Sequence, residues 1–236
     1  MNNDHDGGMR RLHPDPQDDV SVADAYGAPL GGPSDRPWVA LCMVASIDGS
    51  TVFDGASGGL SNPTDIAVLL QLRSLAQVIL VGAGTANTEG YGPPSGGQRV
   101  GVVTRAGSVN FDSDLFTSGV GFVVTAADST FAVPDGVEVM RAGTNAVDLG
   151  EAIRQLPRVV ADCHVVQVEG GPTLNGALLR ADLLDEMNVT TSATTVGGNG
   201  PRLTTGAAIH VRRFEVAQIA IDEMSFVYTR WLRMGG

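Results

Sequence analysis

From residue 38 to about 182, short β-branched apolar runs alternate with stretches of helical spacing, and no other feature restricts the fold as strongly. Strands joined through a helix pair in parallel, so this alternation predicts an α/β fold with a mostly parallel central sheet and helices on its faces. WVALCMVAS (38–46) is a strand that ends in the turn Ile47-Asp48-Gly49. Ser61-Asn62-Pro63, followed by Ile66, Leu69, Leu70 and Arg73, is a capped amphipathic helix with Pro63 in its first turn. VILVG (78–82) and residues 99–104, 121–125, 137–140 and 164–169 read as further strands, and 146–156 as a helix with Leu149, Ile153 and Leu156 inward. After that the pattern changes: 187–195, 213–221 and 225–232 follow one another as strands, with Asp222-Glu223 in a hairpin turn. This adds an antiparallel edge at the C-terminal end of the sheet. The chain carries no internal repeat and no second domain.

Residues 1–36 interrupt this regularity. Asp4, Asp6, Asp15, Asp18 and Asp19 lie among Pro14, Pro16, Pro29, Pro33 and many glycines, without periodicity. Such a stretch is expected to be a flexible tail with a short helix about 20–26, leaving 37–236 as the folded domain. A lid function for the tail is the alternative.

Composition excludes several functions. The 236 residues carry a net charge of −11 and no basic block, which argues against nucleic acid or an anionic membrane as partner. All fifteen basic residues are arginines, so no lysine exists to form a Schiff base, act as a general base or complete a P-loop. Two cysteines, Cys42 and Cys163, are too few for a disulfide framework or a zinc cluster, and no metal is expected. His-x-Glu and Cys-x-x-Cys are absent, which removes zinc deaminase chemistry, and Gly55-Ala56-Ser57-Gly58-Gly59 spells Gly-x-Ser-x-Gly without a preceding strand, so no nucleophile elbow supports a serine hydrolase. With no long apolar stretch and no signal-peptide pattern, the expected location is cytoplasmic.

Chemistry is expected where strands end. In VVQVEGGPTLNGALL (165–179) a strand ends at Glu169, Gly170 and Gly171 turn the chain, and Pro172 opens a helix. The free N–H groups of such a helix attract an anion, although the same Gly-Gly-Pro also serves as a plain tight turn. Gly82-Ala83-Gly84-Thr85 follows another strand but lacks the third glycine of a dinucleotide fingerprint, since position 87 is Asn. Thr104 and Arg105 at a strand end suit a 2′-phosphate, or else form an ordinary solvent-facing strand end. Asp48, in Ser46-Ile47-Asp48-Gly49, is either a substrate ligand or proton donor, or an Asp-Gly turn. Glu169 has the same two readings. Cys42, mid-strand, reads as core or pocket wall.

Taken together, PWVALCMVASIDGS (37–50), LRSLAQVILVGAGTANTEGYGP (72–93) and VVQVEGGPTLNGALLRADLLDEMNV (165–189) resemble the riboflavin-biosynthesis pyrimidine reductase family, the C-terminal reductase domain of RibD. NVTTSATTVGGNGPRL (188–203) fits the same family, and the resemblance spans roughly 37–232. It implies a dihydrofolate-reductase-like fold, a homodimer, and NADPH-dependent reduction of a phosphoribosylamino-pyrimidine. By resemblance, Gly82, Gly84, Thr85, Thr104, Arg105, Gly170, Gly171, Pro172, Thr173 and Leu174 would contact NADPH. Cys42, Ser46, Asp48 and Glu169 would line the substrate pocket, with Asp48 and Glu169 as the catalytic carboxylates. A reductase of another heterocycle such as dihydrofolate, and a non-catalytic NADP-binding homodimer, are the alternatives. The chain departs from the family pattern at Cys42, where a lysine is common, and at Ile66, where an arginine is common; the family's tryptophan is lost within Ser57-Gly58-Gly59-Leu60. Each missing charge-assisted bond to an anionic substrate is worth about 1.5–3 kcal/mol.

Overall fold

The computed structural model describes residues 8–28, 35–206 and 208–234. Along the chain the elements are β1 (Met9–His13), β2 (Gln17–Val20), α1 (Val22–Ala25), β3 (Trp38–Ser46), α2 (Pro63–Leu75), β4 (Val78–Gly82) and α3 (Ala83–Thr88). They continue with β5 (Arg99–Val103), α4 (Asp114–Thr117), β6 (Gly121–Thr125), β7 (Glu138–Arg141), α5 (Leu149–Gln155), β8 (Val165–Val168), α6 (Pro172–Arg180), β9 (Glu186–Ser192), β10 (Phe214–Asp222) and β11 (Val227–Arg233). The eleven strands among the described residues form one sheet in the order β2-β1-β10-β11-β9-β3-β8-β4-β5-β6-β7. From β9 to β7 every neighbour is parallel. From β9 to β2 every neighbour is antiparallel.

The parallel half follows from its residues. β8 and β4 lie at its centre and are buried on both faces, with Val78, Ile79, Val166 and Val168 fully buried. α2 starts where its cap predicts: Asn62 Oδ1 accepts from the Asp65 backbone N–H at 2.8 Å, and Pro63 occupies the first turn. One core cluster packs β3, β4, β6 and β8 against α5 and α6, and includes Val39, Leu41, Leu80, Phe122, Ile153 and Leu178. Alternation along β3 sends Cys42 to the opposite face, among Val68 and Leu72 of α2.

The N-terminal expectation is corrected. Residues 9–26 are part of the sheet edge: β1 pairs with β10, β2 pairs with β1, and the short helix expected about 20–26 is α1. Met9, Val20 and Tyr26 are 1%, 2% and 1% exposed and pack with Phe226, Tyr228 and Val68. The polar composition concealed this because a two-stranded edge buries only one residue in several. Here those are the isolated Met9 and Val20, set among aspartates that face solvent. The tail expectation for residues 1–7 and 29–34 lies outside the described residues. Tyr26 is also covered by Arg230, whose guanidinium carbon sits 6.0 Å from its ring centroid.

Removal of residues 1–34 should therefore destabilise the domain. Three buried side chains at about 1.5–3 kcal/mol each correspond to a fall in Tm of more than about 10 °C. A differential scan of the truncated chain checks this, and a melt within a few degrees of the intact protein would show that the edge strands contribute little.

Candidate functional site

Two strand-to-helix turns meet at the centre of the sheet. The backbone N–H of Gly82, at the end of β4, donates to the Gly170 carbonyl after β8 at 2.7 Å. The turns are so close that a Cβ on Gly171 would lie 2.5 Å from Thr85 Oγ1. Gly170 takes φ +85°, a conformation a side chain would oppose. These contacts account for the glycines in Gly-Gly-Pro: the turn must be narrow enough to dock on α3.

Around this junction two clefts open and share Val52, Thr85, Glu89, Gly171 and Pro172. The larger, about 690 Å³, holds Gly82, Gly84, Thr85, Thr104, Arg105, Gly171, Pro172, Thr173 and Leu174 of the expected cofactor set. Gly170 belongs to the turn beneath and does not line the cleft. α6 opens onto it through Gly171, its N-cap, with no side chain capping the helix. The backbone N–H groups of its first turn are therefore available to an anion. Arg105 and Arg180 are the cations of this lining. Arg105 is 48% exposed, pairs with Asp128 at 2.9 Å, and donates to the Asn145 carbonyl and to Ser129 Oγ.

The smaller cleft, about 290 Å³, is walled by Cys42, Met43, Thr51, Ser61, Asp65, Ile66, Tyr91 and Glu169 among others. Glu169 is 6% exposed, and donors surround its carboxylate. Arg73 Nε and Gln167 Nε2 donate to Oε1 at 2.7 and 2.9 Å, while Arg73 Nη2 and Tyr91 Oη donate to Oε2, each at 2.6 Å. These bonds occupy the acceptor capacity of a carboxylate, so Glu169 organises the wall and is not an idle acid. Burial, and then the Glu169 charge, push the Tyr91 phenol well above its ordinary value, so it stays a donor. Burial, and then Asp65 and Glu169, raise the Cys42 thiol, which makes it a neutral wall residue. Burial also raises Asp65, whose Oδ2 accepts from Ser61 Oγ at 2.6 Å.

Ser46 and Asp48 are not brought into either cleft. β3 and β8 are parallel neighbours, as the shared-cleft expectation required, but they end at different heights. Leu41 is level with Val168, so Glu169 lies beside Cys42 and Ser46 is roughly 13 Å farther along the strand. There Asp48 is exposed and serves a loop: it accepts from Ser46 Oγ at 2.5 Å and from the backbone N–H groups of Val196 and Gly197 at 3.1 and 2.7 Å. The Ser46 hydroxyl, then the two amides, hold its carboxyl at about 2. The loop bears on the smaller cleft indirectly, because the Pro201 carbonyl accepts from the backbone N–H of Thr51, a wall residue.

Arg73, Tyr91, Asp65 and Glu89 were not legible as site residues. Arg73 reads as the polar end of a helix, and Tyr91 follows Glu89-Gly90 in a stretch without periodicity. Among the described residues, no group of three His, Cys, Asp or Glu could hold a metal ion.

The model of the RibD C-terminal domain family matches residues 37–225. The riboflavin biosynthesis protein RibD of Bacillus amyloliquefaciens is 26% identical over 210 residues, which cover 79% of this chain and 56% of that protein; the chain thus spans about half of that relative's length. A 2,5-diamino-6-ribosylamino-4(3H)-pyrimidinone 5′-phosphate reductase of Methanothermobacter thermautotrophicus is 27% identical over 180 residues, covering 71% of this chain and 82% of that protein. The crystal structure of a pyrimidine reductase-like protein of Corynebacterium diphtheriae superposes with a TM-score of 0.75 at 23% identity, covering 86% of this chain and 94% of that one. At that identity the likeness concerns the fold.

Two outcomes follow from the site's polar contacts. Glu169→Ala should lower the unfolding free energy by about 3–5 kcal/mol, because it leaves Arg73 unpaired in a mostly buried position. An unchanged urea midpoint would refute the supporting role of Glu169. Asp48→Asn should speed amide exchange at Val196 and Gly197. Because the Asp48 carboxyl is depressed, its hold on the loop is complete above the ordinary carboxylate value and lost as pH falls through about 2. Equal exchange rates in variant and parent would assign the loop's order to other contacts.

Proposed function

The chain belongs to the RibD C-terminal domain family, and we propose that it is a nicotinamide-nucleotide-dependent reductase of a pyrimidine-type heterocycle. The observation that carries this reading is the division of charge across one junction. The larger cleft has two arginines and an uncapped helix start, which suit the phosphates of a dinucleotide. The smaller cleft has hydroxyls and carboxyls that suit the polar edge of a ring. The two meet at Thr85, Gly171 and Pro172. At about 690 Å³ the larger cleft falls within the usual range of small-molecule sites.

A bound nicotinamide nucleotide would supply the hydride. The chain's own part is to bind, orient and shield. Thr173 and Leu174 offer backbone N–H groups at the start of α6. Gly171 keeps the turn narrow, so the two ligands can approach each other. Tyr91 presents a protonated phenol at the wall, and Glu169 acts through it and through Arg73 as a positioning residue. Asp48 contributes at one remove, by holding the loop that carries Pro201.

NADPH is the proposed form of the nucleotide. Three N–H groups of Arg105 are engaged by Asn145, Ser129 and Asp128, which leaves two of the five for a 2′-phosphate. The homodimer and the cytoplasmic location implied by the family belong to the same proposal. No helix among the described residues is long and apolar enough to cross a membrane.

Reductase action is tested by following NADPH oxidation with candidate pyrimidines. Arg105→Ala should weaken NADPH binding by about tenfold or more, the value of one charge-assisted contact, and leave NADH almost unchanged. Equal weakening for both nucleotides would make Arg105 a loop anchor only.

A further inference from the structure

The smaller cleft has an unusual charge content for a site in a reductase of phosphorylated pyrimidines. Three carboxyl side chains line it, Asp65, Glu89 and Glu169, and no arginine does. All fifteen basic residues are arginines, and all fifteen fall among the described residues, so no undescribed segment of this chain can bring in an arginine or a lysine. Arg73 approaches from behind the wall, but both its Nε and its Nη2 are bonded to Glu169. A phosphate removed from water needs cations or several N–H donors around it. This wall offers mainly acceptors and hydroxyls.

Glu89 stands at the junction of the two clefts. Its Oε1 accepts from the Ser57 backbone N–H at 2.8 Å, and its Oε2 has no hydrogen-bond partner among the described residues. A partly open carboxylate there is matched to ring or exocyclic N–H groups, which donate and carry no negative charge.

We propose that the smaller cleft selects a neutral, amino-bearing heterocycle without a phosphate group, with Glu89 accepting from its N–H donors. The proposal rests on the reductase reading and narrows it. One competing source of charge is Arg202. It is exposed and follows Pro201, whose carbonyl holds Thr51. A second copy of the chain is the other.

The test uses 2,5-diamino-6-ribosylamino-4(3H)-pyrimidinone 5′-phosphate and the same compound after phosphatase treatment. Each is titrated by calorimetry into the full-length protein saturated with NADP⁺. The dephosphorylated form should bind at least about tenfold more tightly, the scale of a single charged contact. Glu89→Gln should lower that affinity while keeping the Oε1 acceptor for Ser57. Ile66→Arg adds a cation to the wall at a position already 50% exposed, where the fold tolerates it, and should narrow or reverse the preference. Arg202→Ala should leave the preference unchanged.

Equal or tighter binding of the phosphate ester overturns the proposal, whether the charge comes from Arg202 or from a second copy. Failure of both compounds to bind overturns it as well. Failure of the reductase reading is separately visible as a chain that oxidises no NADPH with either pyrimidine, whichever of the two it binds. The affinity ratio of the two pyrimidines can be measured on the chain alone.

Discussion

The buried ion pair between Glu169 and Arg73 joins the pieces on which the rest of this structure depends. Glu169 follows β8, Arg73 lies in the last turn of α2, and Tyr91 follows α3. One carboxylate therefore ties together a central strand, the helix covering it, and the chain after the neighbouring strand. A buried charge is costly alone, and the geometry here compensates it with four donors. As a result the floor of the smaller cleft is held in place without a ligand.

The two glycine turns serve the same end by a different means. Where Glu169 positions side chains, Gly82 and Gly171 let two backbones touch. This contact sets two helix starts beside one another and makes a single junction of two clefts. The charge shifts across that junction: arginines and an uncapped helix start lie on one side, Asp65 and Glu169 on the other, and Glu89 stands between them. In a chain without lysine, arginines paired to nearby carboxylates are unavailable elsewhere. Arg36, Arg73, Arg230 and Arg233 are all engaged in this way beneath or beside the sheet. Arg105 and Arg180 are the cations found on the larger cleft.

Much of the fold was legible because its signals are local. The cap at Asn62, the buried runs of β4 and β8, and the Gly-Gly-Pro turn depend on residues a few positions apart. Nine of the ten residues that the family resemblance assigns to a nucleotide line the larger cleft. The expectation about Ser46 and Asp48 did not hold, because it assumed that two neighbouring strands end at one level. Strand length beyond a shared register cannot be read from either strand alone.

By itself, then, the sequence determined the parallel sheet, its antiparallel C-terminal edge and the position of the glycine turns, since periodicity and turn chemistry are properties of short segments. Only the tertiary structure decided that residues 9–26 complete the sheet edge, which requires β10 as a partner more than two hundred positions away. It also decided the state of each carboxylate. Glu169 and Asp48 look alike as acids at strand ends, yet one meets an arginine 96 residues distant and the other meets two loop amides nearly 150 residues distant. Whether a charge is paired, open or facing a ligand depends on what the fold brings beside it, and the local sequence does not contain that information.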